Sequence, residues 1–332
     1  MAINSLTPIP TPHLSVIIPV YNDWPSLDEC LASVARQREA PSFEVIVVDD
    51  GSRQGGDDLV YRWSCRYPLT IVRQPHAGIA AARNRGIQVS KGSVILFVDA
   101  DCRLEVECLS ALDSAVANSP QHACFQLQLV GDDRGIVGRA EDLRLMAIQT
   151  HLLEPDGCIR YLNTSGFAIR RESVDVEKGV FDPAATRAED TLLLAHLMQR
   201  GELPFFAAKA MVCHAIRLSL LECLRKDIRS AFLEGRTFDI IASKGLRIRV
   251  SHRERLRMLV SMWERSGRMP IGRVAWCVLL IRQVLQRGTT YVYRCSRIWP
   301  NLRAAVRSFR SAQESFWPKT YSLADRPSHR DS

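Results

Sequence analysis

The sequence has no long apolar run, no closely paired cysteines and few aromatic residues, and each shortage closes off a class of protein. Its longest uninterrupted apolar stretch, residues 274–281, is eight residues long, against about 20 for a helix that crosses a bilayer. No spanning helix is therefore expected. None of the ten cysteines stands in a CxxC pair, which removes zinc-knuckle and thioredoxin-type chemistry. The opening residues, MAINSLTPIPTPHL, have neither the basic start nor the apolar stretch of a signal peptide. Scattered thiols without an export signal are expected to stay reduced in a cytoplasm, packed as small apolar groups. Aromatics make up only 7% of the chain, but 46% of its 332 residues are hydrophobic and 24% charged. That is a globular composition with material for about two domains, and it excludes disordered, collagen-like and coiled-coil chains.

The charge is unevenly divided. Residues 215–332 hold 24 Lys+Arg and 9 Asp+Glu, a net of +15, while the remainder stands at −7. The expected organisation is a mildly acidic domain over 1–215 and a basic module over 216–332. Anionic partners suit the basic part: phosphate, nucleic acid or a lipid surface.

Strand and helix alternate through the first hundred residues. Residues 14–19 (LSVIIP), 44–48 (EVIVV), 69–72 and 94–98 (VILFV) read as short β-branched strands. Between them, Leu27, Cys30, Leu31 and Val34 mark one buried helical face, and an Ala-rich helix over 77–89 carries Arg83, Asn84 and Arg85. This order predicts a mainly parallel sheet covered by helices on both faces, with ligands at the carboxyl ends of the strands. Tyr21, Asp49, Asp50, Asp99 and Asp101 all fall at such ends. Further strands are expected over 123–130, 166–169 and 207–215, and a mobile loop over 132–138.

Four groups could carry chemistry. Asp99-Ala100-Asp101, on the turn leaving a strand, suits a hard divalent cation that binds substrate phosphates. Asp49-Asp50-Gly51-Ser52 reads most simply as a tight turn, and more sharply as a carboxylate that accepts from a nucleobase N–H. Glu189-Asp190 stands at a helix start, where the dipole favours acids; it is also placed to be a general base. His214 closes the FFAAKAMVCH strand, and an imidazole beside two carboxylates would complete a metal site.

The pieces SVIIPVYND, EVIVVDDGS, AGIAAARNRG, ILFVDADC, NTSGFAIRRE and AEDTLLLAHLMQRG appear in that order over residues 13–215. In this the chain resembles the family 2 glycosyltransferases of the GT-A fold, an α/β Rossmann-like sheet. The resemblance implies a nucleotide-sugar donor, UDP-linked, a Mg²⁺ or Mn²⁺ ion and inversion at the anomeric carbon. It places Pro19 and Tyr21 beside the nucleobase, Asp50 as acceptor from that base, Arg83 near the donor and Asp99 facing the sugar or ribose. It makes Asp101 and His214 the metal ligands and Asp190 the base. Asn163, Thr164, Ser165 and Gly166, with Glu189, fall on the acceptor side. Two departures stand out. Where many members carry Asn before the helix glycine, this chain has His76-Ala77-Gly78. The Gln-x-x-Arg-Trp segment of processive synthases is missing, which favours transfer of single sugars to a saccharide or lipid-linked hydroxyl.

Two other readings compete. A nucleotidyltransferase would need a Gly-rich basic loop after the first strand, where Tyr21-Asn22-Asp23 stands instead. Intact Asp101 and Asp190 count against a non-catalytic nucleotide-sugar sensor without excluding it. In the basic module, Leu220, Leu221, Leu224, Ile228 and Phe232 form one helical stripe, and Leu256, Leu259, Val260 and Trp263 another. Packing on the catalytic domain is the plain reading. Peripheral attachment to an anionic membrane is the functional one, with Trp263, Trp276, Tyr291, Tyr293 and Trp299 suited to the interface. No nucleic-acid recognition element is present, and no nucleic-acid partner is expected.

Overall fold

A computed structural model describes residues 11–132, 135–215, 218–246 and 250–298. An eight-stranded sheet runs through it: β1 (Leu14–Val20), β2 (Phe43–Asp49), β3 (Leu69–Arg73), β4 (Val94–Phe97), β5 (Cys102–Leu104), β6 (Cys124–Gly131), β7 (Phe167–Arg170) and β8 (Phe205–His214). Its order is β3-β2-β1-β4-β7-β6-β8-β5. β1, β2, β3 and β4 are mutually parallel, β7 runs antiparallel to β4 and β6, and β5 runs antiparallel to β8.

The central strands are apolar on both sides because both sides are covered. Val16, Ile18, Val45, Val47 and Leu96 meet α1 (Trp24–Val34) and α4 (Cys108–Asn118) in one core layer. Ile17, Ile46, Val48, Ile95 and Phe97 meet α3 (Ile79–Val89) and α6 (Glu189–Gln199) in the other. Gly86 lets α3 lie directly on β1, since a Cβ there would come within 2.3 Å of Ile17 Cγ2.

The remaining helices are α2 (Asp57–Ser64), α5 (Ile136–His151), α7 (Leu220–Ser243), α8 (His252–Ser266) and α9 (Gly272–Ile298). α7 and α8 both begin with a Ser–Glu capping box, at Ser219 and Ser251. α5 is sandwiched. One side packs on β6, and Ala140, Leu143 and Ala147 meet Met262, Ala275, Val278 and Leu279 of α8 and α9. α7 packs through Ile241 on Leu192 and Ala195 of α6.

Several sequence expectations need correction. The loop expected over 132–138 is cut short by the start of α5: Ile136, Val137 and Gly138 are helical. Gly138 lies so close to Asp132 that a Cβ would fall 1.8 Å from its carbonyl oxygen; residues 133–134 lie outside the described residues. The strand expected from Gly166 begins at Phe167, because Asn163 caps a 3-10 turn over Thr164–Gly166. The helix expected from Ala77 begins at Ile79. α2, α4, α5 and β5 went unread. α5 is buried on two sides, so it lacks the one-sided apolar stripe that announces a surface helix.

Gly86→Ala should lower the unfolding free energy by about 1–2 kcal/mol, because the methyl overpacks the α3–β1 contact. Urea denaturation would show it as a lower midpoint with an unchanged slope.

Candidate active site

Parallel strands end on one edge, so Val20, Asp49 and Phe97 deliver the residues after them to a common crevice. Because β7 is antiparallel to β4, pairing Phe167 with Phe97, it starts at that same edge and brings Ser165 to Asp99. β8 runs parallel to β6 and ends there too. Its last residue, His214, pairs with Cys102, which puts it beside Asp101.

At the carboxyl ends of β1 and β2, Asn22 leaves β1 in the left-handed region, at φ 55. Its side chain accepts from Arg53 N, and its own N–H donates to Ser52 Oγ. Gly51, at φ 81, completes the turn after β2, and a Cβ there would strike His76 N at 2.7 Å. Asp49 is a turn residue, accepting from Ser52 N. Asp50 is buried and engaged on all sides. Gln74 Nε2 and Ala77 N donate to Oδ1, Gly78 N donates to Oδ2, and His76 Nδ1 stands 2.8 Å from Oδ2. These contacts explain why Ala77 and Gly78 stay outside the helix: their N–H groups point at Asp50. The half-exposed His76 ring stacks on Tyr21 at 4.2 Å. Pro19 lies within β1, paired with Val48.

Arg83 is fully buried and bridges two carboxylates. Nη2 donates to Asp99 Oδ1 at 2.6 Å and Nη1 donates to Glu189 Oε1. Its Nε has no acceptor among the described residues. Asp99 also accepts from Ser165 Oγ at 2.7 Å, and Asn163 holds Ser165 N by its side chain. Thr164 and Gly166 are buried behind them. The sequence placed Arg83 near the donor; the structure makes it the tie between the Asp99 turn and the start of α6.

Asp190 follows Glu189 and is partly buried. Burial, with the charge of Glu189, pushes its carboxyl up to about 7, against the opposing pull of the Thr191 N–H, Arg83 and Arg187. The preceding Ala188 is in the left-handed region at φ 57, a strained setting of the kind that gathers at functional sites. Tyr161, unread in the sequence, lies close enough for its hydroxyl to feel Asp190, and it accepts from Asn163 Nδ2.

Beyond the Asp99 turn, Asp101 Oδ2 and His214 Nε2 are 3.3 Å apart. Burial pushes the Asp101 carboxyl up, but His214 outweighs it and holds it below the usual range; burial lowers the His214 imidazole, but Asp101 draws it above its ordinary value. Asp101, Cys102 and His214 form a candidate cation cluster, with donor atoms within 4.8 Å of one another. Cys102 is sealed in the core, which leaves a carboxylate and an imidazole facing the crevice. That donor pair fits Mn²⁺ better than Mg²⁺, which prefers oxygen alone. Lys226 of α7, also missed, adds positive charge felt by both Asp101 and His214.

Arg83→Met should lower the unfolding free energy by about 3 kcal/mol or more, because it leaves two carboxylates without their shared cation. Chemical denaturation at neutral pH would measure it, and a loss below 1 kcal/mol would show that the pairing is not what holds the crevice together.

Comparisons with known proteins bear on the family and the fold. The family model described as glycosyl transferase family 2 matches residues 15–177. An N-acetylglucosaminyltransferase of Bradyrhizobium elkanii is 34% identical over 128 residues, covering 37% of this chain and 69% of that protein. Glycosyltransferase AglE of Haloferax volcanii is 39% identical over 94 residues, covering 27% of this chain and 31% of the relative. The chain thus spans less than a third of the length of this and several other curated relatives. Among solved structures, the mannosyltransferase PcManGT of Pyrobaculum calidifontis, in complex with GDP-Man and Mn²⁺, shares the fold. It superposes with a TM-score of 0.55 at 17% identity over 93% of this chain and 88% of its own. The curled mixed sheet with its flanking helices is the GT-A fold, and the chain belongs to glycosyltransferase family 2.

Proposed function

We propose that the protein transfers a single hexose-type sugar from a UDP-sugar to a saccharide or lipid-linked hydroxyl, with inversion, and that it needs Mn²⁺. The observation that carries this is the Arg83 bridge. It joins the Asp99 turn, two residues from the Asp101–His214 pair, to the helix start that presents Asp190.

Residues 1–215 form the catalytic domain in this reading, and residues 216–332 are an appended basic module. Tyr21 and Pro19 flank the base. Asp50 has its carboxylate sites filled, and half-exposed His76 is the partner that a uracil N–H can displace. Asp99, fixed by Arg83 and Ser165, faces the ribose or sugar. Asp101 and His214 would hold the cation, which neutralises charge on the departing diphosphate. Asn163, Thr164, Ser165 and Gly166 shape the acceptor side, Glu189 keeps Arg83 in place, and Asp190 takes the acceptor's proton. A base near neutrality suits that task, since it is deprotonated at working pH yet still basic. One displacement from the face opposite the diphosphate needs no protein nucleophile, and inversion follows. The enzyme works in the cytoplasm, on the cytoplasmic face of a membrane.

Hydrolysis of UDP-sugars should require added Mn²⁺, disappear with chelator and fall about 100-fold or more in Asp190→Asn. Donor binding without turnover in the wild type would make the chain a sensor, and absence of donor binding would remove the reading altogether.

Protonation of Asp190 should give kcat/KM an acid limb near pH 7, lost as pH falls. A carboxyl raised above its unfolded value costs stability once pH exceeds the ordinary carboxylate range, and the cost is complete above about 7. Asp190→Asn should therefore raise Tm at pH 8 while abolishing turnover, which separates a catalytic loss from a folding defect.

A further inference from the structure

Among the described residues, eleven of the fourteen exposed large apolar ones lie between Leu220 and Val292, outside the catalytic sheet. Nine of these are arranged along α8, the turn that follows it and α9. On α8, Leu256, Val260 and Trp263 follow at i, i+4 and i+7, which places them on one stripe. On α9, Val274, Ile281, Val284 and Tyr291 follow at i, i+7, i+10 and i+17 and make a second, longer stripe. The two helices pack together, with Trp263 edge-on to Trp276 at 4.8 Å and Arg273 stacked 3.4 Å over Trp263. Stripes of this extent on a folded surface mark an interaction site.

The charge around them selects the partner. Residues 252–288 hold eight arginines and two carboxylates. Glu254 is engaged by Arg160 of the catalytic domain. Arg282 is turned inward, to Asp227 and Glu141. Arg253, Arg255, Arg257, Arg268, Arg273 and Arg287 remain exposed beside the apolar stripes. A second copy of this face would oppose arginine to arginine. An anionic bilayer offers both acyl chains and negative headgroups.

We infer that the α8–α9 face is an interfacial docking surface for an anionic lipid bilayer; this deepens the membrane-side placement proposed above and rests on it. Leu256, Val260, Trp263, Ile281 and Val284 enter the headgroup–acyl boundary while the arginines meet lipid phosphates. The helices lie on the bilayer, since no helix among the described residues is long and apolar enough to cross one. A lipid-linked acceptor would then be met in two dimensions. Trp299 lies outside the described residues and plays no part in the argument.

The full chain should sediment with vesicles of phosphatidylcholine containing about a third phosphatidylglycerol, and not with phosphatidylcholine alone. High salt should weaken the binding. Replacing Arg253, Arg255 and Arg257 by Gln should lower the partition coefficient about 100-fold, at roughly fivefold for each cation near the surface. Leu256→Gln with Val260→Gln, and Ile281→Gln with Val284→Gln, should each lower it about tenfold or more. All three variants should keep wild-type UDP-sugar hydrolysis in solution, because none touches the crevice. Equal binding to neutral vesicles, no binding, or unchanged binding by the variants would overturn the proposal. So would a wild-type dimer that the apolar variants split, since the stripes would then belong to a second copy. Absence of hydrolysis in the wild type with vesicle binding intact would fault the catalytic reading and leave this surface standing.

Discussion

A single guanidinium, sealed in the protein between two carboxylates, sets the geometry of the crevice. Arg83 comes from a helix that packs on the sheet through alanines and a glycine, so it has no route to water. Its charge must be met inside, and Asp99 and Glu189 meet it. The pairing fixes the turn after β4 and the first residue of α6 relative to each other, although 90 residues separate the two acids. It also shapes the next residue. Burial, with the charge of Arg83's partner Glu189 beside it, pushes the Asp190 carboxyl up to about 7. Arg83 itself pulls the other way, so burial and Glu189 set the proton affinity of the proposed base.

The mixed direction of the sheet does the rest of the assembly. A wholly parallel sheet would supply only the ends of β1, β2 and β4. Reversing β7 brings the Asn163–Ser165 turn to the same edge, and setting β8 between β6 and a short antiparallel β5 brings His214 across from Cys102. Each reversal adds side chains from a distant segment to a crevice whose first half is built locally. His76 adds another such contact. It occupies Asp50 and stacks on Tyr21, so the ends of β1 and β2 are joined by an internal contact.

The C-terminal helices are tied in by charge as well as by apolar packing. Arg282 of α9 reaches Asp227 of α7 at 2.7 Å and comes within 3.8 Å of Glu141 on α5. α5 in turn packs on β6, whose far end lies beside His214. The inward faces of α8 and α9 are therefore spent on α5, and their outward faces carry the apolar stripes. These helices pack on the rest of the fold on one side, and among the described residues their other side is exposed.

Much of this was legible in the chain. Strands covered on both faces must be apolar throughout, so LSVIIPV, FEVIVVD and VILF declared themselves, and the acids after them marked the working edge. Six short motifs in order carried the resemblance to the family that the comparisons show. The shielded helices were silent: α5 has neighbours on two sides and so no one-sided stripe to read. Pairings across long separations were silent too. That Arg83 binds Glu189, that Asp50 is filled by the loop before α3, and that His214 stands 3.3 Å from Asp101 depend on strand order and register, to which local sequence is blind. Composition and periodicity determined which segments become strands and helices, because those depend on neighbours along the chain. Which side chains share a charge was decided only when the sheet closed, because burial and Coulomb attraction act through space.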